Sequence, residues 1–299
     1  MNVSRLRSWM FVPTSPAKFL DKVATRPVDA IIPDLEDGVV PAERPAGREH
    51  LRRWLAQRTA TFPAPYVRIN AVTTPDWQLD VAAAMGAEGI VLPKAERAAD
   101  VVAADQALAA AEEAAGRPVG TTVVIAAIES AAGLLSAPEI AAHPRVRGLL
   151  FGAEDYALDL GLALSRSGAG QDLIAARSAI VVAARSAGAA PIDGVHTKLD
   201  DDAELVHQSR LARELGFSGK SLFHPAQIDL INAAFTPSAA ECEFARAVVD
   251  GFDEAQQDGS GAVAVAGHLV DLPIAERARQ LLHAADELAD RDRERSPAP

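Results

Sequence analysis

Cysteine is nearly absent from this 299-residue chain. Cys242 is the only one, so no intrachain disulfide can form and a reducing compartment is expected. Cys242 itself reads as a buried helix thiol. Positive charge is also scarce: 29 Lys and Arg stand against 41 Asp and Glu, a formal net charge of −12. Such a surface repels phosphate backbones and anionic membranes, which argues against nucleic-acid and membrane partners. An anionic small substrate would then need a local positive device, either a metal or a well-placed arginine. Long apolar runs are missing too. The longest, Val123–Ile128, has the length of a strand, and Trp9–Pro13 is far too short for a secretory h-region although it follows Arg5 and Arg7. A cytoplasmic protein is the expectation. Zinc motifs are lacking: there is no HExxH or CxxC, and His196, His207 and His224 have no i, i+4 partner.

What the chain does have is apolar material, 49% of its residues, which is ample for one large core. Short apolar runs rich in β-branched residues alternate with Ala-rich helical stretches. The strand candidates number eight: Ser8–Val12, Ala30–Asp34, Tyr66–Ile69, Gly89–Leu92, Thr122–Ile128, Gly148–Phe151, Pro191–Val195 and Gly219–Phe223. A helical segment follows each, from Ala17–Thr25 to Pro225–Ala234. Eight strand–helix units predict an α/β chain folded as a (β/α)8 TIM barrel with a C-terminal helical extension. A doubly wound open sheet would want a Gly-rich first turn, and Phe11–Pro16 contains no glycine. The alternation stops near residue 235, so residues 1–235 form the expected barrel and residues 236–290 a helical lid or oligomerisation segment. Helices are expected at about Ala239–Gln257 and Ile274–Ala289, with a disordered tail over residues 291–299.

Barrel chemistry belongs at the C-terminal ends of the strands. There the sequence places Asp34-Leu35-Glu36-Asp37, Arg68-Ile69-Asn70, Pro93-Lys94, Glu129-Ser130, Gly152-Ala153-Glu154-Asp155 and His224-Pro225. Carboxylates from neighbouring strands, Glu129 and Asp155, suit a hard divalent cation, although either could instead cap a helix or pair with a base. Spacing alone does not choose between Asp155 and Glu154. Arg68 can clamp a carboxylate bidentately or pair with the strand-two acids. Lys94 raises a Schiff-base alternative. Gly219-Lys220-Ser221 imitates the end of a P-loop but lacks its first glycine and enters a strand instead of leaving one. Trp9, Trp54 and Trp77 read as core and helix-packing residues.

Taken together, RSWMFVP (7–13), DLEDGVVPAE (34–43), VRIN (67–70), AIES (127–130), FGAEDYALDLG (151–161), GKSLFHPAQI (219–228) and GHLVDLPI (267–274) resemble the HpcH/HpaI aldolase and citrate lyase β-subunit family. The likeness is strongest to its malyl-CoA and citramalyl-CoA lyase-like branch. The resemblance implies a Mg2+-dependent barrel (Mn2+ being the alternative ion) that cleaves or condenses a 3-hydroxyacyl-CoA thioester to an acyl-CoA and a keto acid. It implies Glu129 and Asp155 as metal ligands, Arg68 as the grip on the substrate carboxylate, and Glu36 and Asp37 as acids near the metal's water shell. Asp271 falls on the acid that reaches a neighbouring subunit's site, and a homotrimer or hexamer is implied. Lys18 lies in the segment that meets CoA in relatives, where this chain has Thr14-Ser15-Pro16-Ala17-Lys18 instead of the common Gly-Asn-Arg-Pro. A malyl-CoA-type thioesterase and a CoA-independent class II pyruvate aldolase are the competing activities, with a scaffold subunit the non-enzymatic alternative.

Overall fold

The computed structural model describes residues 2–23, 25–58, 63–163 and 171–295. They fall into two compact units, residues 1–235 and residues 236–299. In the first, eight parallel strands close in sequence order: β1 (Ser8–Pro13), β2 (Ala30–Asp34), β3 (Ala64–Arg68), β4 (Gly89–Leu92), β5 (Val123–Ile128), β6 (Val146–Phe151), β7 (Ala190–Asp193) and β8 (Gly219–Leu222). The helices between them are α1 (Lys18–Val23), α2 (Arg44–Gln57), α3 (Trp77–Ala83), α4 (Ala98–Ala114), α5 (Ala131–Ala141), α6 (Ala153–Asp159), α7 (Ile174–Ser186), α8 (Asp202–Leu215) and α9 (Ile228–Phe235).

Alternation along each strand sorts its side chains into two layers. Trp9, Phe11, Ile32, Tyr66 and Ile192 belong to the buried cluster that fills the barrel, where the Trp9 and Tyr66 rings meet at a tilt with centroids 4.7 Å apart. Met10, Ile31, Val67, Ile90 and Leu149 face the helices in the larger outer cluster. Some helix boundaries have a clear local cause. Ser130 caps α5 by accepting from the Gly133 N–H, Asp201 caps α8 by accepting from Glu204, and Gly216 ends α8 with φ +104°, a left-handed conformation that glycine adopts without steric cost.

Between the sheet and its outer helices, Asp193 is buried against two cations. Arg177 donates from Nε and Nη2 at 3.0 Å each, and Lys220 donates from Nζ at 2.7 Å. Burial opposes the charge on Asp193, but Lys220 and Arg177 hold its carboxyl below the usual carboxylate range. This ion pair is the role of the lysine in the P-loop look-alike. Asp193→Ala strands a buried ammonium, so a loss of about 3–5 kcal/mol is expected. Chemical denaturation checks it, and a loss below 1 kcal/mol would show that Lys220 finds water or another partner.

In the second unit, α10 (Ala239–Gln257) begins with a Ser238/Glu241 capping box and buries Cys242. A hairpin follows, β9 (Val263–Val265) with β10 (His268–Val270), and then α11 (Leu272–Arg295). The hairpin turns through Ala266 and Gly267 at φ +48° and +80°, the pair of positive angles a tight two-residue turn demands. Val248, Phe252, Val270 and Ala275 form this unit's own core. The tail expectation is corrected here: α11 continues through Arg295, and only residues 296–299 of that segment lie outside the described residues. The Arg293–Asp290 pair bridges one helical turn, and basic residues near the C-terminal end complement the helix dipole. No described helix is long and apolar enough to cross a membrane.

Candidate functional site

The alternation that points Ile32, Tyr66 and Ala127 into the barrel also points Asp34, Arg68 and Glu129 into its C-terminal mouth. Asp34 and Arg68 are register partners on β2 and β3. Their carboxylate and guanidinium join through Nε–Oδ1 at 2.8 Å and Nη2–Oδ2 at 2.6 Å. Two residues on, Glu36 is buried, with Oε1 accepting from Lys94 Nζ at 2.9 Å. Its Oε2 lies 3.1 Å from Arg68 Nη1 without hydrogen-bond alignment, a buried oxygen with no hydrogen-bond partner. Burial raises the Glu36 carboxyl against the lowering pull of Arg68 and Lys94.

Glu129, just past β5, is 6% exposed. Burial first, then the negative charges of Glu36 and Asp155, push its carboxyl up to about 7. Its Oε2 accepts the Lys94 backbone N–H at 2.8 Å. Lys94 achieves both contacts, backbone to Glu129 and Nζ to Glu36, from a left-handed backbone at φ +52°. A non-glycine residue pays about 1 kcal/mol or more for that conformation, and such strain concentrates at functional sites. Its Nζ is held as ammonium by Glu36, Asp37 and Glu129 despite partial burial, a poor state for Schiff-base chemistry.

Asp155 sits in the first turn of the seven-residue α6, whose start at Gly152 brings that turn against Glu129. A Cβ built on Gly152 would lie 2.2 Å from Glu129 Cγ. Gly152→Ala must therefore displace Glu129, and a 10–100-fold loss of divalent-cation affinity is expected, the scale for disturbing a ligand's support. Calorimetric Mg2+ titration reads it, and unchanged affinity would mean that Glu129 is no ligand.

Asp34, Glu36, Glu129 and Asp155 are four carboxyl groups against two cations, Arg68 and Lys94, so the mouth holds two more acids than bases. That excess, the orphaned Glu36 oxygen and the raised Glu129 fit a divalent cation. Among the described residues no cluster of three or more His, Cys, Asp or Glu is placed to hold a metal, and a site of one or two carboxylates completed by water and substrate oxygens is one that magnesium accepts. The opposite side of the mouth is apolar. Phe11 and the half-exposed Phe223 have ring centroids 5.4 Å apart, and the Arg68 guanidinium lies 4.8 Å from the Phe11 ring.

Comparison with known proteins decides the family. The HpcH/HpaI aldolase/citrate lyase profile matches residues 7–225. The chain belongs to this family. It is thus an enzyme of a lyase family, and citrate lyase subunit beta of Leuconostoc mesenteroides subsp. cremoris is 38% identical over 96% of this chain and 95% of its own. A (3S)-malyl-CoA thioesterase of Cereibacter sphaeroides is 35% identical over 95% of both chains. The crystal structure of CitE from Mycobacterium tuberculosis in complex with magnesium, acetoacetate and coenzyme A superposes with a TM-score of 0.77. It shares 33% identity over 95% of this chain and 100% of that one. The HpcH/HpaI fold therefore serves more than one named activity, and its sites have to be read residue by residue.

Of the residues singled out in the sequence, Glu36, Arg68, Glu129 and Asp155 come together in the mouth of this HpcH/HpaI barrel. Asp37 is exposed at the rim, with its carboxylate 4.0 Å from Lys94 Nζ. Glu154 is exposed, and it is Asp155 whose charge raises Glu129. Lys18 opens α1 on the surface, its ammonium 5.7 Å from the Phe19 ring. Asp271 belongs to the second unit, where its carboxylate accepts the Ile274 N–H at 3.4 Å at the start of α11. Sequence reasoning gave no specific role to Asp34, and none to Lys94 beyond the Schiff base. The signal for Asp34 was its strand-end position beside Arg68.

Proposed function

We propose that this enzyme is a Mg2+-dependent carbon–carbon lyase acting on a 3-hydroxyacyl-CoA that carries a carboxylate beside its hydroxyl, of the malyl, citramalyl or citryl type. The observation that supports it most is Glu129, buried among like charges with a carboxyl near 7, a site short of a cation. Magnesium bound by Glu129 and Asp155, with its remaining positions open to oxygens, would polarise the substrate hydroxyl and offset charge developing on that oxygen. Arg68 orients the substrate carboxylate. As the carbon–carbon bond breaks, its electron pair passes to the thioester enolate and the hydroxyl oxygen becomes the carbonyl of a keto acid. The hydroxyl proton goes to the acid side of the mouth, where Glu36, with its raised affinity for a proton, and Asp37 lie. The enolate carbon takes a proton from Asp271, contributed by a neighbouring copy in a homotrimer or hexamer. Lys18 would meet the CoA portion.

The Cereibacter relatives favour a second reading, hydrolysis of the thioester on the same site. One assay separates the two. Purified protein with Mg2+ is offered malyl-, citramalyl- and citryl-CoA while keto acid and free thiol are followed in parallel, with EDTA as the control. Keto acid with acyl-CoA, lost on chelation, is the expected result. Thiol without keto acid would mean a thioesterase, and silence on every thioester would move the reading to a CoA-independent aldolase.

A further inference from the structure

The best-connected buried carboxylate in the mouth belongs to a residue that no step above uses. Asp34 is 2% exposed and accepts four hydrogen bonds. Oδ1 takes the Glu36 N–H at 2.9 Å and Arg68 Nε at 2.8 Å. Oδ2 takes the Gly38 N–H at 2.9 Å and Arg68 Nη2 at 2.6 Å. The Asp-Leu-Glu-Asp-Gly turn thus wraps around one carboxylate, which also seizes the guanidinium on the adjacent strand. A guanidinium has two forked edges, Nε with one Nη and the two Nη together. Asp34 fills the first. The second remains, with Nη1 3.1 Å from Glu36 Oε2 and Phe11 packed against the guanidinium.

We propose that Asp34 is a positioning residue that fixes which edge of Arg68 meets the substrate. It occupies the Nε–Nη2 edge, so a substrate carboxylate can be gripped only end-on through Nη1 and Nη2. Through the Glu36 N–H it also holds Glu36 beside that end. Because Asp34 matches the charge of Arg68, the arginine contributes direction more than attraction. The proposal rests on the reading of Arg68 as the carboxylate grip.

A double-mutant cycle tests it. Asp34→Asn keeps the shape but turns one oxygen into an NH2 group, which must face a donor, either Arg68 or a backbone N–H. A 10–100-fold fall in kcat/KM is expected, the scale for lost charged hydrogen bonds. In an Arg68→Ala background the same change should cost no more than about twofold, because the group it acts through is gone. Gly38→Ala supplies an independent perturbation should Asp34→Asn fold poorly. Its added Cβ would lie 2.3 Å from Asp34 Oδ2, pushing the carboxylate while every charge stays in place, and it should show the same dependence on Arg68.

The cycle is read a second time without turnover, as Mg2+-dependent binding of oxalate by calorimetry. Effects that simply multiply, in activity and in binding, would overturn the proposal and leave Asp34 a structural residue. Wild-type protein that binds oxalate with Mg2+ but cleaves no thioester refutes the lyase reading alone, and the binding cycle still decides Asp34. Wild-type protein that binds no oxalate refutes both.

Discussion

Glu129→Ala is expected to lower kcat for thioester cleavage by about 1000-fold or more, the several kcal/mol that a Lewis-acid cation contributes to such a reaction. The loss should not be a folding defect. Glu129 is a buried carboxylate opposed by Glu36 and Asp155, so removing it relieves like-charge repulsion while costing the Lys94 N–H its acceptor. Thermal unfolding without metal should accordingly be unchanged or slightly raised, and Mg2+ should no longer raise it. A mutant that keeps more than a tenth of wild-type kcat, or that Mg2+ still stabilises as it does wild type, would remove Glu129 from the cation site.

Magnesium binding should also be steeply pH-dependent. The Glu129 carboxyl has an ordinary value near 4.5 and is pushed up to about 7 in the folded, metal-free chain. Between those values the folded state holds a proton that the unfolded state has released. The corresponding stability is fully present below about 4.5 and is lost as pH rises through about 7. Metal-free protein should therefore unfold at progressively lower temperature from about pH 5 to pH 8, with Mg2+ restoring the loss at the upper end. A cation must displace the same proton, so Mg2+ affinity should fall about tenfold per pH unit below 7 and level off above it. Titrations at pH 5.5, 6.5, 7.5 and 8.5 suffice. A flat profile would mean that Glu129 is already ionised and that its burial is offset by partners other than a metal.

Much of the barrel is legible from the sequence because its strands are short, apolar and separated by helices with ordinary starts. Ala30–Asp34 and Gly89–Leu92 keep the limits that the runs of apolar residues suggest. Helix α6 is not legible: Ala153–Asp159 is too short to show a helical period, and its start depends on the space at Gly152 that Glu129 fills. The end of α11 escapes for a different reason. The apolar period lapses after Ala289 and charge pairs carry the helix on. In the site, strand-end position is enough to nominate Arg68, Glu129 and the Asp34–Asp37 acids and to narrow the β6 end to Glu154 or Asp155, and the family resemblance selects Glu36 and Asp155 from these. Pairing of Arg68 with the strand-two acids is legible as an alternative, but its partner is not: Asp34 and Arg68 stand 34 residues apart and meet through the register of β2 and β3. The backbone of Lys94 is equally silent, because no glycine marks its positive φ.

The mouth of the barrel is lopsided. Its charged groups stand at or just past the C-terminal ends of β2, β3, β4, β5 and β6, while Phe11 of β1 and Phe223 after β8 form an aromatic flank. A carbon bearing a carboxylate, a hydroxyl and a hydrogen or alkyl group meets three different surroundings there: the end of Arg68, the carboxylates and the aromatic rings. Exchanging the carboxylate with the hydrogen or alkyl group would set an anion against an aromatic face, whose quadrupole repels it, and exchanging it with the hydroxyl would set it among the other carboxylates. The asymmetry of the rim is thus a reader of handedness, and one enantiomer of a racemic 3-hydroxyacyl thioester should be consumed while its mirror image is left behind.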